Sequence, residues 1–226
     1  MKQVLFILII LVVIVYFQYM AINSGGGTDF TILQYQNPNK DMIEKILFEK
    51  RITIFTDLDL GSIVYNKMPV FMIRPSIYSK LNQTQHTDIL KELKSYFEYY
   101  YLPMTVKSDI SINYEKQTTK TTLKEQLNYR FCICQFLGAR KLYLFPPEAK
   151  SNLYYDTQTK KYNVNFWNQD TTKFPRVKNA KFIEILLHQG QVIFIPYKWS
   201  YCYEIIENGM SVSFYSESLF SNMLKK

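Results

Sequence analysis

Residues 129–147 read YRFCICQFLGARKLYLFPP, and this stretch sets the fold class. Tyr129 to Phe136 is rich in aromatic and β-branched side chains, so it reads as a strand. Gly138 permits a tight turn, Lys141 to Phe145 alternates apolar and polar residues, and Pro146-Pro147 stops the second strand. The same grammar continues downstream. Phe182 to Leu187 and Val192 to Ile195 flank His188-Gln-Gly-Gln191, and Tyr201 to Ile206 and Met210 to Tyr215 flank Glu207-Asn208-Gly209. Both connections predict tight hairpins, the second through an Asn-Gly turn. Upstream, Asp41 to Lys50 reads as a short helix with Ile43, Ile46 and Leu47 on one face, and Arg51 to Thr56 as a strand. Val70 to Ile73 is a short apolar run, and Asp88 to Tyr100 has helical spacing behind a Thr87 or Asp88 cap. The expected class is mainly β (α+β): a barrel or jelly roll with flanking N-terminal helices.

Outside the barrel, the N-terminus stands apart. Val4 to Phe17 is an unbroken apolar run, VLFILIILVVIVYF, and continues past Gln18 to Ile22. A helix over residues 4–22 nearly crosses a hydrocarbon core of about 30 Å. Tyr16 and Tyr19 suit one interface, and Lys2 with the α-amino group the other, so the N-terminus is expected on the cytoplasmic side with the domain across the membrane. The alternative is a cleaved signal peptide; Ala21-Ile22-Asn23 is a poor small-x-small site for one. The expected organisation is a transmembrane anchor at 1–22, a Gly-rich tether at 23–29 and one domain at 30–226.

Composition excludes several functions. The hydrophobic fraction of 47% rules out wholesale disorder. The net charge of +8 comes from 22 lysines and 5 arginines that are scattered rather than striped, so nucleic acid is not a favoured partner. Three cysteines cannot make a disulfide scaffold. Cys132 and Cys134 share a strand face and are badly placed to bridge each other; Cys202 is free to pair with either, or all three serve as buried thiols. Asn82-Gln83-Thr84 is the one N-glycosylation sequon. The chain carries no P-loop, zinc spacing or dinucleotide turn.

Four segments in order resemble the JmjC/cupin-like hydroxylase superfamily. Gln135 to Pro147 is similar to its Q-x-x-G-x-K-x-W-x-L-F-P-P, and Val164-Asn-Phe with Asp170 and Phe174-Pro175 to the segment that follows. Gly190 to Pro196 with Trp199 resembles P-G-D-V-L-Y-I-P-x-x-W-W-H, and Met210 to Tyr215 resembles I-S-V-N-F-W. Glu49 to Phe55 is also similar to the usual first strand, so the likeness spans about residues 30 to 220. It implies a double-stranded β-helix.

Active relatives bind iron(II) through H-x-D and a later His, and 2-oxoglutarate through a Lys and an Asn. Aligned without a gap, H-x-D falls on Glu125 and Leu127; matched through Asn128, it falls on Thr122 and Lys124. The third ligand falls on Tyr201. Arg140 and Ser213 stand at the cosubstrate positions, unless the first slips to Lys141. His86 and His188 are the only histidines, and neither falls in the pattern. The resemblance therefore implies a degenerate member with no cofactor: a membrane-tethered structural or protein-binding module. Its AT-biased composition and short anchor fit a virion membrane component of a large DNA virus. The alternatives are a divergent iron(II)/2-oxoglutarate hydroxylase and a small-anion-binding cupin anchored by Arg140.

Overall fold

The computed structural model describes residues 2–23, 30–56, 94, 105–218 and 221–222. The first helix, α1, covers Lys2–Asn23. Its side chains from Val4 to Tyr16 are 42–66% exposed. Among the described residues no helix is long and apolar enough to cross a membrane. The membrane-spanning helix expected over residues 4–22 is therefore not found among the described residues.

Among the described residues twelve strands follow in chain order. They begin with β1 (Leu33–Gln36), β2 (Thr53–Thr56), β3 (Thr105–Glu115), β4 (Lys124–Glu125), β5 (Arg130–Leu137) and β6 (Arg140–Phe145). They continue with β7 (Tyr155–Asp156), β8 (Lys161–Tyr162), β9 (Ile183–Leu187), β10 (Val192–Phe194), β11 (Ser200–Ile205) and β12 (Gly209–Ser218). Helix α2 (Lys40–Phe48) lies between β1 and β2, and the Asn39 side chain caps it by accepting from the Met42 amide at 2.9 Å. Ten of the strands form a six-stranded sheet, β1-β2-β10-β5-β12-β3, facing a four-stranded sheet, β4-β11-β6-β9, while β7 and β8 pair separately. Except for the parallel β1–β2 pair, every ladder in them is antiparallel. Two four-strand arrays, β3-β12-β5-β10 and β4-β11-β6-β9, interleave along the chain as in a double-stranded β-helix.

The two expected hairpins, at His188–Gln191 and Glu207–Gly209, are not hairpins, and the Gly138 turn behaves as they do. β5 and β6, β9 and β10, and β11 and β12 are each joined by a short turn, yet each pair divides between the two sheets. Gly138, Gly190 and the Asn208-Gly209 turn therefore lead the chain across the sandwich. A tight turn reverses the chain, but ladder partners decide the sheet. β6 finds β9 and β11, and β12 finds β3 and β5.

Strand alternation sorts side chains into three layers. Between the sheets lie Ile54, Ile133, Leu142, Leu144, Ile193 and Trp199. On the outer face of the larger sheet, Cys132, Cys134, Val212 and Phe214 pack under Ile43, Ile46 and Leu47 of α2. On the outer face of the smaller sheet, Phe145 and Cys202 pack under the 149–177 excursion. Cys132 and Cys134 share a face as expected. Cys202 belongs to another layer, so the pairing left open with either is not made, and all three thiols are buried and free. Val70–Ile73, the helix expected at 88–100, the Asn82 sequon and His86 lie outside the described residues, apart from position 94.

Candidate functional site

A cleft of about 290 Å³ opens between the edge strands β3 and β4. Its floor is Phe131 and Ile133 of β5, and its walls carry Tyr201 and Tyr203 of β11, Ser213 of β12, Asn113 of β3 and Lys124 of β4. These are the side chains whose strand parity points between the sheets. Elsewhere between the sheets the space is filled by Trp199 and the aliphatic residues of the inner layer. The interior is thus packed over most of its extent and open and polar at this cleft.

Strand pairing places the two sets of residues on which H-x-D was aligned. Tyr201 pairs with Lys124, and Ser200 with Glu125. Lys124 therefore faces the cleft with Tyr201, while Glu125 turns outward, where its carboxylate accepts from the ammonium of Lys150. Thr122 has the parity of Lys124 and is exposed. Leu127 is 40% exposed and outside the cleft. β4 ends at Glu125, so Leu127 lies beyond the strand. Buried Gln126 then pins a turn, with its Nε2 donating to Asn128 and Ile195 carbonyls at 2.6 and 3.1 Å.

Two of the expected positions share the cleft wall. Tyr201 lies against Phe131, ring centroids 5.6 Å apart. Burial pushes its phenol up to about 12, against the opposing pull of the Arg140 charge, so it is a neutral donor at physiological pH. Ser213 sits opposite Ser111 of β3 and Ile133 of β5. His188 is exposed on the β9–β10 turn, its backbone amide bonded to Gln191 Oε1 at 2.8 Å.

Arg140 is not on that wall. It is 1% exposed, and three neighbours hold its guanidinium. Nε donates to Gln135 Oε1 at 2.6 Å, and Nη2 to Glu115 Oε2 at 2.9 Å. The plane lies over the Tyr203 ring, 4.5 Å from its centroid. The Tyr203 hydroxyl donates to Glu115 Oε1 at 2.5 Å, and burial together with that carboxylate raises its pKa. Arg140 therefore has a structural ion-pair partner and is not a free anchor for an anion. Sequence reading missed Glu115 because β3 went unread. The signal was there: Asp109, Ser111, Asn113 and Glu115 alternate with Ile110, Ile112 and Tyr114.

These residues do not fit ferrous iron. A facial triad needs two imidazoles and a carboxylate. Here the cleft offers phenols, hydroxyls, amides, the Asp109 carboxylate and an ammonium. Among the described residues no three His, Cys, Asp or Glu side chains gather around one point. Lys124 makes no ion pair among the described residues, so its charge opposes a divalent cation directly.

Comparison with known proteins agrees with this architecture. The chain is 34% identical over 82 residues to "JmjC domain-containing protein D" of Dictyostelium discoideum, covering 34% of this chain and 18% of that protein. It is 31% identical over 143 residues to "Lysine-specific demethylase 8" of Danio rerio, covering 60% of this chain and 35% of that protein. "Lysine-specific demethylase JMJ30" of Arabidopsis thaliana is 29% identical over 86 residues, 37% of this chain and 20% of that protein. The chain thus spans about a third or less of the length of these relatives. Residues 74–219, more than half of the chain, match the Cupin-like domain family, and with the barrel laid out as above this chain belongs to that family.

Proposed function

We propose that this chain is a membrane-tethered cupin-like domain that binds a partner or small polar ligand without iron-dependent chemistry. The observation that carries the reading is the Tyr201–Lys124 pair: a phenol stands where the family's last imidazole falls, and an ammonium faces it across the ladder. Coulomb repulsion and the missing imidazoles both weigh against a divalent metal there. The open polar cleft favours binding over a purely structural role. Tethering is supported by α1, whose 22-residue backbone rises about 33 Å if straight and whose described apolar side chains lie exposed.

Anaerobic iron(II) titration of the purified chain tests the catalytic part, followed by assay of succinate release from 2-oxoglutarate. The expected result is no stoichiometric iron and no turnover; bound iron with turnover overturns it. Flotation of the full chain with vesicles after carbonate washing tests the tether, and release into the wash refutes it. A second reading, a divergent oxygenase, draws on the likeness to lysine-specific demethylases and on the open cleft. The iron titration decides between the two.

A further inference from the structure

Arg140 stands at the position where the family resemblance puts the group that receives the cosubstrate's carboxylate. Here that group already holds a carboxylate. Glu115 presents Oε2 to the Arg140 guanidinium at 2.9 Å and Oε1 to the Tyr203 hydroxyl at 2.5 Å. The guanidinium is further fixed by Gln135 and stacked on Tyr203. A buried cation, a neutral hydroxyl donor and an aromatic plane around one carboxylate make up a built acid-binding site. Its occupant is the last residue of β3, positioned by the pairing of Glu115 with Gly209. The side chain is 14% exposed, so it reaches the site from the barrel's edge.

We propose that Glu115 is a ligand supplied by the chain itself: its carboxylate fills the barrel's carboxylate-binding position and excludes an external acid from Arg140. The inference rests on the reading of this barrel as a degenerate cupin, since that reading gives Arg140 its place. It adds a reason why 2-oxoglutarate is not taken up that is independent of the metal ligands. The site's chemistry remains that of a receptor, and removing Glu115 leaves a cavity with an unneutralised guanidinium and a free Tyr203 hydroxyl. Small carboxylates are the chemical class that fits it.

The experiment is chemical rescue. The full chain in detergent and its Glu115→Ala variant are melted in acetate, succinate or 2-oxoglutarate, with chloride at matched ionic strength as the control. The expected result is a lower melting temperature for Glu115→Ala that carboxylates raise by about 5 °C and chloride does not. Wild type should respond to neither, and Glu115→Ala/Arg140→Met should lose the response. A folded Glu115→Ala chain indifferent to carboxylates overturns the proposal, as does a wild-type chain stabilised as strongly as the variant. If Glu115→Ala does not fold alone, refolding yield is read instead: recovery only with carboxylate supports the proposal, and equal yields without it overturn it. Glu115→Gln melting like wild type also overturns it, because the charge would then be immaterial. Iron titration of the wild type is unaffected by any of these results, so this proposal and the non-catalytic reading fail separately.

Discussion

Gly138→Ala tests the crossing at the end of the barrel. Gly138 has φ +70°, and a Cβ there would stand 2.6 Å from the Asn208 carbonyl oxygen and 2.9 Å from that of Glu207. Both obstacles are backbone, held because the Ile206 and Glu207 amides donate to the Ala139 carbonyl. The left-handed conformation costs an L-residue about 1–2 kcal/mol, and overpacking about 1–3 kcal/mol more. Reduced freedom of the unfolded chain returns about 0.4–1 kcal/mol. The net expectation is a loss of about 2–4 kcal/mol, or on the order of 4–16 °C in melting temperature for a domain of this size. Gly190 is the internal control. It has φ +81°, but nothing lies within 4 Å of a Cβ built there. Gly190→Ala therefore incurs only the conformational cost, about 1 kcal/mol net. Urea unfolding of the two variants, followed by tryptophan fluorescence, measures the difference. Equal losses, or a silent Gly138→Ala, would refute the packing of the β5–β6 turn against the β11–β12 turn.

Three further outcomes are expected. Arg140→Met should cost about 2–4 kcal/mol in urea unfolding, because it strands the mostly buried Glu115 carboxylate, and Arg140→Met/Glu115→Leu should recover at least half of that. Lys124→Asp/Tyr201→His should bring cobalt(II) absorption to a cleft that lacks it in the wild type; no spectral change would argue against that cleft as a place where this fold can hold a metal. Burial and then the charge of Lys198 lower the Lys50 pKa from 10.5 to about 8, so its charged form is disfavoured on folding. That penalty is full below about pH 8 and fades towards pH 10.5. Lys50→Met should therefore be more stable than wild type at pH 7, by on the order of 1 kcal/mol after discounting for a half-exposed group, with the gap closing as pH rises.

Most barrel strands were legible because the barrel's inside and outside differ in polarity. β5, β6 and β9 to β12 each carry either an alternating or a continuous apolar pattern, and their bounds fall within a few residues of those expected. Sheet membership was not legible. Asn208-Gly209 specifies a turn, while the partner of β12 is set by residues a hundred positions away, and short-range sequence says nothing of them. Of the cleft, Tyr201 and Ser213 followed from the resemblance, and Lys124 belonged to one of its two alignments, while Arg140 stands off the wall. That Leu127 stands outside the cleft goes with β4 ending at Glu125, where the Gln126 side chain makes turn bonds that no motif encodes. The alternation of residues 109–115 marks the strand that carries Glu115, but its role shows only in the contact with Arg140.

The position of β12 has a consequence for how the chain is made. It lies between β5 and β3, yet it is synthesised after both. Thr105 waits for Ser218, and Glu115 for Gly209, before the ladder that holds β3 can close. On the ribosome, β3 and one side of β5 are therefore unsatisfied strand edges until nearly the whole domain has emerged. A stop codon before residue 209 would remove the strand that joins β3 to the rest of the larger sheet, leaving a nascent product with two aggregation-prone edges and no acceptor for either.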